Sequence, residues 1–186
     1  MKTNRLVLAV LFAFLIAGAT ACQRHKGVEA AREGTTLTPA ERDIAMKIEQ
    51  SHLGEVDLAR TAKDRTANKD VKDYAEMLMK DHNKALTDIS NMLKEQKAMP
   101  SSPVPKSGDA QAQMSKLQKL SGAEFDREFM SMMVQNHQKT LSDLNQSLTA
   151  VQNNDLKGYI KDLIPTVQKH LDRALEIQKK LATTSK

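Results

Sequence analysis

Between Asn68 and Ala98, apolar residues recur with the spacing of a coiled-coil seam: Val71, Ala75, Leu78, Ala85, Ile89 and Met92. Steps of three and four place them on one face of an α-helix, and nothing in the run alternates with period two, as a half-buried strand would. One position breaks the seam. His82 stands between Leu78 and Ala85, where a core helix ordinarily carries Leu. A chain built of such segments folds by burying their stripes on one another, and each polar exception must then be accommodated in the core.

Three more segments follow the same rule. Thr38-Pro39-Ala40-Glu41 is a capping box with Pro at the first helical position. It opens a helix to about Ala67, with Ile44, Ile48, Leu58/Ala59 and Ala62 as its stripe, and Asn68 caps the second helix. Residues 99–109 hold three prolines and read as a crossover, with a short helical stretch at 110–120 folding back over the bundle. Ser121-Gly122-Ala123-Glu124 repeats the capping-box pattern before Phe125, Phe129, Met133, Leu141, Leu144, Leu148 and Val151. Asn154 or Asp155 caps a fourth helix carrying Leu156, Ile160, Leu163, Val167, Ala174, Ile177 and Leu181. With only 7 Gly and 5 Pro in 186 residues, the chain predicts an all-α fold. The architecture is a four-helix bundle over residues 38–182, with a long crossover between helices 2 and 3 and a tail at 183–186. Residues 77–93 also align without gaps to 132–148, bringing His82 onto His137.

Each long helix has one titratable residue on its stripe: Glu55, His82, His137 and His170. Counted from the two turns, Glu55 faces His82 and His137 faces His170. With both turns at one end, the pairs differ in height by about 5 Å. One carboxylate and three imidazoles thus converge in the core, with Asp81 and Asp126 beside them as outer acceptors for the rings. Such a set fits a transition-metal ion such as zinc, copper, iron or manganese. It equally fits a buried hydrogen-bonded network that fixes helix register. The sequence favours the network, because ligand pairs at i, i+3 or i, i+4 are lacking except for His52 with Glu49 or Glu55, and His52 lies at the edge of its stripe. A di-iron site would need Glu-x-x-His twice, and Glu49-Gln50-Ser51-His52 supplies it once.

The N-terminus carries an address. Lys2 and Arg5 precede an uncharged apolar run to Gly18, too short to span a bilayer comfortably, followed by Ala19-Thr20-Ala21-Cys22. This resembles the lipobox of bacterial lipoproteins, in which the signal is cleaved before the cysteine that carries the lipid. We expect a signal peptide at 1–21, a lipid anchor on Cys22 and a flexible tether at 22–37. Gln23 after the cysteine resembles the outer-membrane sorting pattern, placing the domain in the cell envelope facing the periplasm. Removing Lys2 and Arg5, with no acid in the same stretch, lowers the formal charge from +5 to +3, a weak basis for any charged partner. Two Tyr, four Phe and no Trp are too few rings for a stacking platform, which argues against nucleic acid. No Gly-flanked nucleophile and no Gly-rich phosphate loop appears, so no enzyme is expected.

Taken together, Glu55, Asp81-His82, Phe125-Asp126, His137, and Pro165 with His170 resemble a bacterial family known only as domain of unknown function 4142. Ile164 stands where its usual Leu precedes the proline. The resemblance covers about residues 40–182. It implies an exported, often lipid-anchored, ferritin-like helical bundle, and supplies no established activity. Two functions follow as expectations: an envelope module that binds a protein partner, in keeping with envelope stress, or a metal-binding or metal-dependent redox protein using Glu55, His82, His137 and His170.

Overall fold

A computed structural model describes residues 36–183; the signal segment, Cys22, most of the tether and the last three residues lie outside them. Five helices follow in order: α1 Pro39–Arg65, α2 Lys69–Glu95, α3 Gly108–Gln118, α4 Gly122–Ala150 and α5 Asn154–Thr183. No strand occurs among the described residues. The fold is the all-α, ferritin-like four-helix bundle expected, built from α1, α2, α4 and α5, with α3 inside the crossover.

The caps explain most boundaries. Thr38 and Glu41 form the reciprocal capping box at α1, and the Asn68 carboxamide accepts from the N–H groups of Asp70 and Val71 at α2. Two expectations shift. Asn153, one residue before either expected cap, accepts from the N–H groups of Asp155 and Leu156, both at 3.0 Å, so it caps α5. At α4 the Ser121 side chain makes no cap bond. Gly122 begins that helix at φ +52°, a left-handed conformation open to glycine, and it takes the chain out of the geometry a capping box needs. The packed domain also begins one residue earlier than expected: Leu37, placed in the tether by sequence, is 6% exposed and belongs to a core cluster with Ala45, Val151 and Leu156.

The two hairpin turns lie at opposite ends. Glu41, at the start of α1, accepts from the N–H groups of Gln152 and Asn153 in the α4–α5 turn, each at 2.8 Å. Thr66, in the α1–α2 turn, donates to Asp126 near the start of α4 at 2.6 Å. Neighbouring helices are therefore antiparallel, while α2 and α4 run parallel across the bundle. The segment between those two must climb the full length of the domain, which is why it is long. It is pinned on the way. Gln50 donates to the Pro105 carbonyl, Lys106 pairs with Asp57, and Arg65 donates to the Leu117 and Leu120 carbonyls while lying 4.6 Å over the Phe125 ring. A Cβ on Gly54 would meet that of Ala110 at 3.0 Å, so α3 approaches α1 closely at this glycine. The apolar interior divides into two clusters. One is built on Tyr74, Phe125, Phe129 and Met133 toward the Thr66 turn; the other is built on Ile89, Leu93, Leu156 and Ile160 toward the Asn153 turn.

Candidate metal centre

The polar layer lies where the two helix hairpins meet. His82 on α2, His137 on α4 and His170 on α5 are 5%, 2% and 1% exposed. Their ring centroids are 6.0 Å apart for His82–His137 and 5.3 Å for the other two pairs. One nitrogen from each ring lies within 4.8 Å of the others. The gapless match of 77–93 to 132–148 now has a physical reading: α2 and α4 are parallel, so equivalent residues reach the same height.

The hydrogen bonds fix which nitrogen carries the proton on each ring. His137 Nδ1 lies 2.8 Å from the Met133 carbonyl, which only accepts, so Nδ1 bears the hydrogen and Nε2 a lone pair. His170 Nε2 lies 3.0 Å from a carboxylate oxygen of Asp81, so Nε2 donates and Nδ1 is left as the lone pair. For His82 the order runs through two further residues. The Tyr159 hydroxyl donates to the Ala85 carbonyl at 3.2 Å and must therefore accept from His52 Nε2, 3.0 Å away. That leaves His52 Nδ1 as acceptor for His82 Nδ1–H at 2.9 Å, and His82 Nε2 as a lone pair. The three nitrogens left over, His82 Nε2, His137 Nε2 and His170 Nδ1, are buried atoms without a hydrogen-bond partner among the described residues. Three unpartnered acceptors thus lie in an apolar interior, on rings that bring ligand nitrogens within 4.8 Å of one another, and each unsatisfied acceptor costs about 1–3 kcal/mol.

Burial keeps His82, His52 and His170 in the neutral form. Burial, reinforced by the neighbouring imidazoles, pushes His82 well below the ordinary histidine range. Burial takes His52 to about 4, with His170 and His137 adding to the effect. His170 also falls to about 4 through burial, although its bond to Asp81 opposes the shift. At neutral pH these rings are neutral, as metal ligands must be.

The expected site residues separate. His82, His137 and His170 come together and Asp81 is an outer acceptor on His170. Glu55 is not in the converging group: Asn136 on α4 donates to its Oε1 at 2.8 Å and draws the carboxylate toward Gln113. Its other oxygen is buried without a partner. The place on α1 is taken by His52, 1% exposed. Residues 52 and 55 differ by about 60° around a helix at 100° per residue, and the bulk of Ile44 and Ile48 drew the expected stripe toward the wrong one. The signal for His52 lay in Ala45, His52 and Ala59, spaced by seven. Asp126 is about 16 Å along α4 from His137 and binds Thr66 instead, so it serves the turn. Since both His52 nitrogens are engaged, the Glu49–His52 pair does not present two ligands. The Glu49 carboxyl is raised by burial and keeps one oxygen without a partner.

The donor set fits a metal ion of the kind expected. Three imidazole nitrogens suit copper, zinc or iron, and each ring's second nitrogen is oriented by an outer acceptor, as metal-bound histidines require. Bonds of about 2.0–2.1 Å place ligand atoms about 3.4 Å apart around a tetrahedral ion, so the rings must draw in from their present spread of up to 4.8 Å.

The bundle is similar to several solved structures. One is a fragment of a DUF305 protein from Deinococcus radiodurans, 18% identical, with a TM-score of 0.68 over 77% of this chain and 97% of that one. Two others are CopM in an Ag-bound and a Cu(II)-bound form, 17% and 15% identical, each with a TM-score of 0.62 over 75% of this chain and 96% of that one. These likenesses concern the fold. No curated protein matches the chain. Residues 26–177 match the model of a family described as "Domain of unknown function (DUF4142)", and with the match spanning most of its length, the chain belongs to that family.

Proposed function

We propose that this protein binds a copper-class transition-metal ion in the core of its helical bundle, through His82 Nε2, His137 Nε2 and His170 Nδ1. The observation that carries the reading is the set of three buried, unpartnered lone pairs fixed on those atoms. Buried acceptors are ordinarily paired, and here three on facing rings are bare together, whereas Glu49 and Glu55 each leave a single oxygen without a partner. Nitrogen-only ligation favours copper in the series of divalent ions and also suits zinc. CopM, which shares the fold, is known with silver and with cupric ion, and that likeness supports the same class of ion here.

The interaction-module reading has less behind it. Among the described residues, the exposed large apolar side chains are Met99 and Leu175, at 48% and 42%, two separate residues of the kind any surface carries. No described helix is long and apolar enough to cross a membrane. We further propose that Cys22 carries a lipid and holds the bundle at the outer membrane, facing the periplasm. The lipobox-like Ala19-Thr20-Ala21-Cys22 supports this. If Cys22→Ser still labels with lipid and stays with membranes, the anchoring proposal is wrong.

Elemental analysis of the purified chain after exposure to cupric ion tests the centre. One equivalent is expected for the native chain, and none in His82→Ala, His137→Ala or His170→Ala. Glu55→Ala and Asp126→Ala should both retain it. Stoichiometric metal in all three histidine variants would refute the site.

A further inference from the structure

Two clefts of about 540 Å3 each approach the histidine layer. One opens between α2 and α5, the other between α1 and α4. They are not equivalent. The α2–α5 cleft is floored by His82 and His170, two of the three residues whose lone pairs converge, with Asp81 and Tyr159 in its walls. The α1–α4 cleft touches the layer through His52, both of whose nitrogens are committed, and is otherwise lined by residues such as Ile44, Ile48 and Leu144. His137 lines neither, so it closes the centre from behind.

We infer that the α2–α5 cleft is the port through which the ion enters and leaves the triad, and where a small donor from solvent reaches the bound ion; this rests on the metal reading above. Three protein ligands leave a fourth position on a four-coordinate ion, and open metal sites keep that position toward an access route. His82 and His170 meet the cleft with their rings while their lone-pair nitrogens are shut from solvent, so an ion passes between these two rings to reach the triad, and the cleft is the route that leads there. Pro165 sits in its α5 wall, between the lining residues Asp162 and Thr166. Lacking an N–H, it removes one helical hydrogen bond to the Lys161 carbonyl, so the wall is weakest beside the floor. Asp162 is exposed at the rim, and Asp81 reaches from the wall to His170. Of the lining carboxylates, Asp81 pairs with Lys169 and Asp88 with Lys84, so it is Asp162 at the rim that draws a cation toward the mouth.

The test uses the full chain, cupric ion and stopped-flow exchange against a coloured chelator. Thr166→Trp fills the cleft near its floor. Asp162→Trp obstructs its rim from an exposed position, where the fold tolerates bulk. Ser147→Trp fills the other cleft. Both α5 variants should bind one equivalent with affinity within about threefold of native, because equilibrium affinity belongs to the ligands, while association and dissociation each slow by tenfold or more. Ser147→Trp should exchange at the native rate. Native exchange in both α5 variants, or slowing in Ser147→Trp alone, overturns the port and leaves the triad standing. Failure of the native chain to bind cupric ion sinks the triad, and the port with it.

Discussion

Two buried polar clusters occupy this bundle, and they are built on opposite rules. At the Asn153 end, every oxygen of Glu41 is used: Oε2 accepts from the Thr38 N–H and hydroxyl, both at 2.9 Å, and Oε1 from the N–H groups of Gln152 and Asn153. Burial raises such a carboxyl, yet the surrounding N–H groups overcome it and hold Glu41 at about 2. At mid-bundle, by contrast, three imidazoles each satisfy one nitrogen and leave the other bare. A carboxylate ringed by donors joins α1 to a turn. Three bare nitrogens on facing rings are what the proposed ion would bind. The difference between the two clusters is whether each atom's bonding capacity is used within the fold.

The comparison breaks most visibly with metal. Cupric ion should raise the melting temperature of the native chain, since it binds the folded form. Any single His→Ala in the triad should weaken binding by at least about 100-fold and abolish that rise. Glu41→Ala should leave the metal response intact. Equal loss of the response in both classes of variant would mean the clusters are not functionally distinct.

Next in size is the stability of the Glu41 cluster. Glu41→Ala strands the buried Asn153 N–H, leaves those of Thr38 and Gln152 to solvent and dissolves the α1 capping box, so urea unfolding should show a loss of about 1–3 kcal/mol. Glu41→Gln should recover only part of it, since a carboxamide's one oxygen cannot replace two. A loss under about 0.5 kcal/mol would show the cluster to be ornamental.

Acid should separate the clusters by window. In the metal-free chain, His52 and His170 have folded pKa values near 4 against an ordinary 6.5, so the unfolded chain takes up protons first as pH falls. The unfolded state then binds more protons, and stability declines between about 6.5 and 4. Glu41, depressed to about 2 from 4.5, contributes stability fully present above 4.5 and lost as pH drops toward 2. Glu41→Ala should flatten the lower step and spare the upper. Stability that stays level from pH 6.5 to 4 would contradict the neutral, buried imidazoles.

The same contrast explains what was legible in the sequence. Thr38-Pro39-Ala40-Glu41 displayed its cap, and the stripes of α2 and α5 displayed their helices, because those signals are local. His82, His137 and His170 were legible as interruptions of an apolar period. Glu41's second role was not, because the residues it binds lie more than a hundred positions away. His52 was hidden for a different reason. Its stripe is marked by Ala45 and Ala59, small residues that give little hydrophobic signal yet allow α1 to approach closely enough for an imidazole to reach His82. Glu55 looked correct by height and failed by rotation, and an Asn136 that sequence gave no cause to notice completed the diversion. The turns at opposite ends left the height argument intact only because the layer lies near mid-bundle, where counting from either end gives nearly the same level.

The smallest expected effect is the one whose sign decides most. His137→Leu removes a bare lone pair and fills its place with apolar volume of similar size. The Met133 carbonyl, which loses the Nδ1–H, still accepts the helical N–H of residue 137. Nothing buried is stranded. In the metal-free chain this substitution should therefore leave stability unchanged or raise it by up to about 1 kcal/mol, as replacing poorly satisfied buried polar groups with well-packed ones commonly does. His52→Leu is the control. It strands the His82 Nδ1–H and leaves the Tyr159 hydroxyl without its donor, so it should cost about 1–3 kcal/mol. Chemical denaturation of both, without metal, is sufficient. If His137→Leu instead destabilises as much as His52→Leu, the three imidazoles hold the bundle together as Glu41 holds its turn, and the layer is structural after all. If it is neutral or stabilising while cupric ion no longer protects the chain, the native protein carries that histidine at a cost to its own stability, which only a ligand explains.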